Sequence, residues 1–197
     1  MIKKFLFYAL GLLIMALGTV LLLQAGIGLS AFDGLCAGMG NITPISTGRW
    51  CMILGIIIIL LNALIQKCIP SMFSFLTSII VGTCIDFWLL ILNIHTSNIG
   101  VKVIVFFIGM IINAFGVSLY ISADLVKGPI DQLMINISNI LKSNLWIGKT
   151  IMEVIFLIMV LLIGGPIGIG TVIVTFFSGF FVNFFYIFLQ KGIKTYD

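Results

Sequence analysis

The stretch GIGLSAFDGL, residues 26–35, sets a carboxylate in a chain that is otherwise mostly apolar, and LVKGPIDQLM, residues 125–134, does the same. Sliding the chain on itself by 98 residues lays Asp33 on Asp131, Gly11 on Gly109, Ala16 on Ala114, Gly18 on Gly116, Ala25 on Ala123 and Leu35 on Leu133. After a short insertion the shift is 100, which lays Gly48–Arg49 on Gly148–Lys149. Toward the end of each copy it is 97, laying Gly82 on Gly179 and Asp86 on Asn183. The chain reads as two copies of one unit, residues 1–98 and 99–197.

The solvent of these units follows from composition. Of 197 residues, 61% are hydrophobic and 8% charged, and mean hydropathy is +1.32, whereas a soluble domain carries roughly 25% charged residues. Phe5–Leu23 holds no charge, and about 20 such residues span a bilayer. Six stretches reach or approach that length: 5–24, 50–66, 72–93, 103–122, 147–164 and 169–189. The opening MIKK and its apolar run could be a signal peptide, but the run is long and has a partner in the second copy, so it is expected to be a retained first helix.

Three spans per copy is an odd number, so the second copy enters the membrane from the opposite side. The expected fold class is an all-α membrane protein, six transmembrane helices arranged as two inverted-topology three-helix repeats. Each repeat also holds a short amphipathic or re-entrant helix in a long connection, 25–48 and 123–148. In the second, Ile130, Leu133, Met134, Ile137 and Leu141 recur at helical spacing. Gly128 and Pro129 suit its cap and first position, with Asp131 in its first turn. In the first, Ser30 and Asp33 have the spacing of a capping box. Asp33 and Asp131 therefore cap helices. If both helices re-enter the membrane from opposite faces, their ends also line a central polar cavity.

The spans contain few ionisable residues. Asp86 stands past the middle of the third span and is expected to face the bundle, because a carboxylate at the bilayer centre costs about 2.5–3.5 kcal/mol. Its repeat mate Asn183 is neutral, which makes any shared site asymmetric. Glu153 follows Lys149 by four residues, the spacing of a helical ion pair; the pair is either an interfacial salt bridge or a solute or proton site. Substrate-binding candidates are thus Asp86, Glu153, Asn183, Asp33 and Asp131, lining a cavity between the halves. The acidic groups suit a cationic or zwitterionic solute, or a proton carried with it. The run GGPIGIGT, 164–171, lacks a P-loop lysine and reads as a tight turn opening the last helix. Its N–H groups could hold an anion if they face a cavity.

With the N-terminus inside, Lys3, Lys4, Lys67, Lys127, Lys142, Lys149, Lys191 and Lys194 fall on the inner side, against Arg49 and Lys102 outside. This bias predicts cytoplasmic N- and C-termini in a bacterial plasma membrane. A net charge of +4, scattered along the chain, is no nucleic-acid footprint. Cys36, Cys51, Cys68 and Cys84 form no paired motif, and the single histidine, His95, is expected in an outer loop. Neither a metal site, a cofactor site nor a catalytic constellation is expected.

In this order, Gly18, GLSAFDGL, TGRW, KGPIDQLM and GGPIGIGT resemble the YczE/YyaS/YitT family of bacterial membrane proteins, closest to its YczE-like branch. Ala31 departs from that family's pattern, which commonly has Pro before Phe32. The resemblance implies a membrane location and a fold, but no substrate. The leading expectation is a small-solute transporter or permease subunit with a midplane polar site. The alternative is a non-transporting accessory or scaffold protein that regulates another complex. A homodimer or an energising partner subunit is compatible with the transporter expectation, and the lipid bilayer is the surrounding partner in either case. An intramembrane enzyme is the third and weakest reading.

Overall fold

The computed structural model describes residues 2–45, 47–69, 72–94 and 97–194, so His95 and Pro70 lie outside it. Among the described residues there are eight helices: α1 (Ile2–Ala25), α2 (Ala31–Ile42), α3 (Thr47–Gln66), α4 (Met72–Ile91), α5 (Ile99–Ser122), α6 (Pro129–Ile140), α7 (Leu145–Leu162) and α8 (Ile169–Lys194). Six are long and apolar enough to cross a membrane: α1, α3, α4, α5, α7 and α8. The remaining two, α2 and α6, have 12 residues each and fall where the two quoted stretches predict short helices. Each helix from α5 onward begins 97 or 98 residues after its counterpart in the first half.

The centre of the molecule is the pair α1–α5, which share the largest helix interface. Gly11 lies against the backbone of Tyr120 and Gly18 against Asn113, while Gly116 lies against Met15 and Gly109 against Leu21 and Leu22. The order of these pairs makes the two helices antiparallel. A Cβ at Gly18 or Gly116 would collide with the facing backbone, so glycine is what lets the helices approach this closely; without a hydrophobic driving force between helices in lipid, such packing supplies the association. Asn113 Nδ2 adds a hydrogen bond to the Thr19 hydroxyl at 3.0 Å.

Around this pair the halves interlock. α4 packs on α1, where Trp88 Nε1 donates to the Leu13 carbonyl at 3.0 Å. α8 packs on α5, where the Ser118 hydroxyl donates to the Val182 carbonyl at 2.8 Å. α2 packs on α7 of the other half, and α6 on α3. The core forms where these helices converge and includes Tyr8, Leu12, Leu35, Tyr120, Met134 and Met152.

One pairing breaks the correspondence. α7 and α8 pack along each other, with Gly179 against Trp146 and the Trp146 and Phe180 rings 5.9 Å apart, whereas α3 and α4 barely touch. Gly82, the counterpart of Gly179, faces open space.

Candidate functional site

Glu153 is the ninth of the 18 residues of α7, and Lys149 stands one turn before it. Both are buried, at 2% and 8% exposure, and Lys149 Nζ lies 3.7 Å from Glu153 Oε1. The ion pair expected from the spacing is therefore made, with both partners buried inside the protein. The other carboxylate oxygen, Oε2, accepts the backbone N–H of Ala31 at 3.0 Å. That N–H is one of the orphan donors at the start of α2, so a carboxylate from the second half satisfies the positive end of a helix in the first.

Asp33 and Asp131 approach this pair from the first turns of α2 and α6. The Ser30 hydroxyl donates to Asp33 Oδ2 at 2.8 Å and accepts the Asp33 N–H at 3.3 Å, completing the expected cap. Gly128 provides no side-chain cap for α6, and Asp131 instead accepts a hydrogen bond from the Tyr120 hydroxyl. Tyr120 is buried edge-on to Tyr8, with ring centroids 6.0 Å apart, and the Tyr8 hydroxyl pairs with the Thr77 hydroxyl at 2.7 Å. Lys149 is near enough for its charge to act on both aspartates.

Burial pushes the Asp33 carboxyl up; the Ser30 hydroxyl works against the rise, Glu153 adds to it and Lys149 opposes it. Burial also raises Asp131, against the pull of Lys149 and the Tyr120 hydroxyl. Glu153 makes the ion pair with Lys149, and Asp33 and Asp131 stand farther off, within reach of its charge. Among the described residues no three His, Cys, Asp or Glu side chains are grouped as a metal would need.

The structure thus places Asp33 and Asp131 within electrostatic reach of the Lys149–Glu153 pair. It leaves Asp86 apart, on an exposed face of α4. The expectation that this carboxylate faces the bundle is not met: Asp86 stands exposed, five residues before the end of α4, about 8 Å of helix. Asn183 is half-buried on α8, one residue beyond the α5–α8 hydrogen bond of Val182.

The two ends of the α1–α5 pair differ. At the α1 exit, Gly170 N–H donates to the Ile27 carbonyl at 3.3 Å, Gly28 abuts the backbone of Thr171, and Gly168 abuts Ile27. This clasp uses the N–H groups that could have held an anion: Gly168 N–H also meets the Thr171 hydroxyl, at 3.4 Å. The glycine run is a packing element and a helix start.

At the α5 exit a cavity of about 230 Å³ opens between α3, α4 and the start of α6. Sequence reasoning missed the carboxamides on its wall. Asn62 Nδ2 donates to the Pro129 carbonyl at 2.8 Å, and Asn136 Nδ2 donates to Asn62 Oδ1 at 2.9 Å. Asn136 Oδ1 in turn accepts from Gln66 Nε2 at 2.9 Å and from Gln132 Nε2 at 3.0 Å. The available signal was an asparagine, Asn62, inside an otherwise apolar span, on the helix that meets the polar side of α6.

Residues 2–187 match the family described as a family of unknown function, DUF6198. The chain is 30% identical over 184 residues to the uncharacterized protein YyaS of Bacillus subtilis (strain 168), covering 92% of both chains. It is also 30% identical over 185 residues to the uncharacterized membrane protein YczE of the same organism, covering 93% of this chain and 86% of that one. An uncharacterized protein of Haemophilus influenzae is 32% identical over 78 residues, 40% of this chain and 36% of its own. No solved structure matches the chain.

Proposed function

This chain belongs to the DUF6198 family, and we propose that it is a multi-pass membrane protein that moves a small solute, as a transporter or as a permease subunit. The observation that carries the reading is the buried Lys149–Glu153 pair, with the half-buried Asp33 and Asp131 within reach of its charge. Buried charge is weak as a source of stability, and an ionisable group within a membrane-type bundle is by default a functional group with a partner. The surplus of carboxyls favours a cationic or zwitterionic solute, or a proton moving with it.

The halves are read as an inverted repeat crossing the membrane in opposite senses, with both termini on the lysine-rich cytoplasmic side. Two facts support this: counterpart helices start 97 or 98 residues apart, and the α1–α5 contacts exchange with one another under a shift of 98. Gly18 on Asn113 maps to Gly116 on Met15, and Gly11 on Tyr120 maps to Gly109 on Leu22. In that reading the clasp closes the outer side, the cavity opens the inner one, and α2 and α6 re-enter from opposite faces.

The test is uptake into proteoliposomes, screening small amines and amino acids with and without a pH gradient. Glu153→Gln should abolish saturable uptake while membrane abundance stays near normal. Saturable uptake unchanged by Glu153→Gln would remove the cluster from the mechanism. The absence of any uptake across the screen would turn attention to the second reading, an accessory protein. What favours that reading is α4, whose spanning stretch is largely uncovered and carries exposed Asp86. A copy of the chain or an energising subunit would fit there.

A further inference from the structure

We infer that the cavity between α3, α4 and α6 is a binding site for an anionic amphiphile, its oxyanion group held by Lys127, Gln66 and Gln132. This site is distinct from the acidic cluster, and its existence does not depend on the transport reading. The argument starts at one atom. The Pro129 carbonyl oxygen can only accept, so the Asn62 carboxamide turns its nitrogen to it and its oxygen to Asn136. Asn136 then donates to that oxygen, which leaves Asn136 Oδ1 to face the two glutamines. Both glutamines are thereby fixed as donors through Nε2. Each amide nitrogen carries two hydrogens, so each glutamine keeps one after bonding Asn136. Gln66 and Gln132 line the cavity, together with Lys127.

The cavity wall is thus rich in donors and has a cation, with no carboxylate among its lining residues. Lys127 is paired with Asp124 at 3.3 Å, but Asp124 is 77% exposed, and such a surface pair is weak enough for an oxyanion to displace. Apart from Asn62, Ser74 and Cys68, the remainder of the lining is apolar and reaches outward: Ile69 and Phe73 are 88% and 67% exposed at the gap between α3 and α4. A donor-rich interior behind an apolar, laterally open rim matches a ligand with an anionic head and a hydrocarbon tail. A simple inorganic anion would make no use of the rim. The head could be the phosphate of a membrane lipid or the carboxylate of a free amphiphile; the chemistry the site reads is the same.

Cys68, exposed and on the same wall, reports occupancy without any engineered label. The purified full chain in neutral detergent would be alkylated with a maleimide, and the rate at Cys68 followed by peptide mass spectrometry. The ligands are dioctanoyl phosphatidylglycerol, octanoate, dioctanoyl phosphatidylcholine and inorganic phosphate. Phosphatidylglycerol, octanoate or both should slow Cys68 saturably, by about fivefold or more, as a charge-assisted contact implies. Protection by phosphatidylglycerol alone assigns a lipid source, and protection by octanoate assigns a free amphiphile. Lys127→Met and Gln66→Leu should each shift the midpoint upward about tenfold; Asp124→Asn, which frees Lys127, should lower it. Gln66→Leu leaves Asn136 Oδ1 bonded to Gln132, so the fold is retained. Equal protection by phosphatidylcholine, equal protection by inorganic phosphate, no protection at all, or a midpoint indifferent to Lys127→Met would each overturn the inference.

Discussion

The clasp at the α1 exit and the cavity at the α5 exit are built from counterpart segments, yet one is shut and the other open. α4 and α8 start at Met72 and Ile169, so Phe73 corresponds to Gly170. In the clasp, Gly170 donates its N–H directly to the chain at Ile27; Phe73, at the matching place, lines the cavity instead. Gly34, counterpart of Gln132, lies 3.4 Å from the Pro166 carbonyl as measured from an added Cβ, whereas Gln132 lines the cavity. Small residues permit backbone-to-backbone closure, and large ones leave a space whose wall their side chains then define. The lesson is that a repeated helix plan does not fix whether a seam closes. The residues at the seam do.

The most damaging change should be Gly28→Leu or Gly168→Leu. Either drives a side chain into backbone at the clasp, about 3 kcal/mol of overpacking. Folded yield by size-exclusion fluorescence should collapse, and a normal yield would mean the clasp is no tight seam. Next comes Glu153→Leu, which strands Lys149 in the interior and should cost about 3–5 kcal/mol. Lys149→Met with Glu153→Leu should recover most of that stability while leaving uptake dead, a pattern that thermal denaturation and transport assays separate. Phe73→Gly tests the comparison itself: if the ring at this position keeps the seam open, α4 should settle toward α6 and slow alkylation of Cys68. Unchanged or faster alkylation would assign the gap to something other than Phe73. The smallest effects belong to Asp33→Asn and Asp131→Asn. Burial already raises both carboxyls, and an amide oxygen can still accept from Ser30 or Tyr120. Stability should move by less than about 1 kcal/mol, so any loss of uptake would be the loss of an ionisable group rather than of the fold.

Much of this was legible in the residues. Uninterrupted apolar runs located the six long helices, and Ser30 with Asp33, and Gly128 with Pro129, located the starts of α2 and α6. Lys149 and Glu153 were readable as a pair because helical spacing alone brings them together. Their burial was not, since in an apolar helix nothing in the spacing says which face meets protein. The same gap misplaced Asp86: the cost of a carboxylate in hydrocarbon pointed it at the bundle, but nothing in the spacing fixed its direction around the axis. The carboxamide chain joins Asn62 to Asn136, 74 residues away, and has no local pattern. It depends on α6 docking against α3 of the other half.

The α1–α5 seam also has a consequence for the order in which the chain is made. During synthesis α1 is complete by Ala25, but the residues facing its glycines, Asn113 and Tyr120, come almost a hundred positions later. Until then α1 waits in the bilayer without its main packing partner, and α2 waits for α7. Contacts of such sequence separation form slowly and leave unfinished surfaces exposed. Residues 1–98 expressed alone should therefore be degraded. The same fragment made alongside residues 99–197 should be rescued, as two separate pieces assembling through a glycine seam that neither can build by itself.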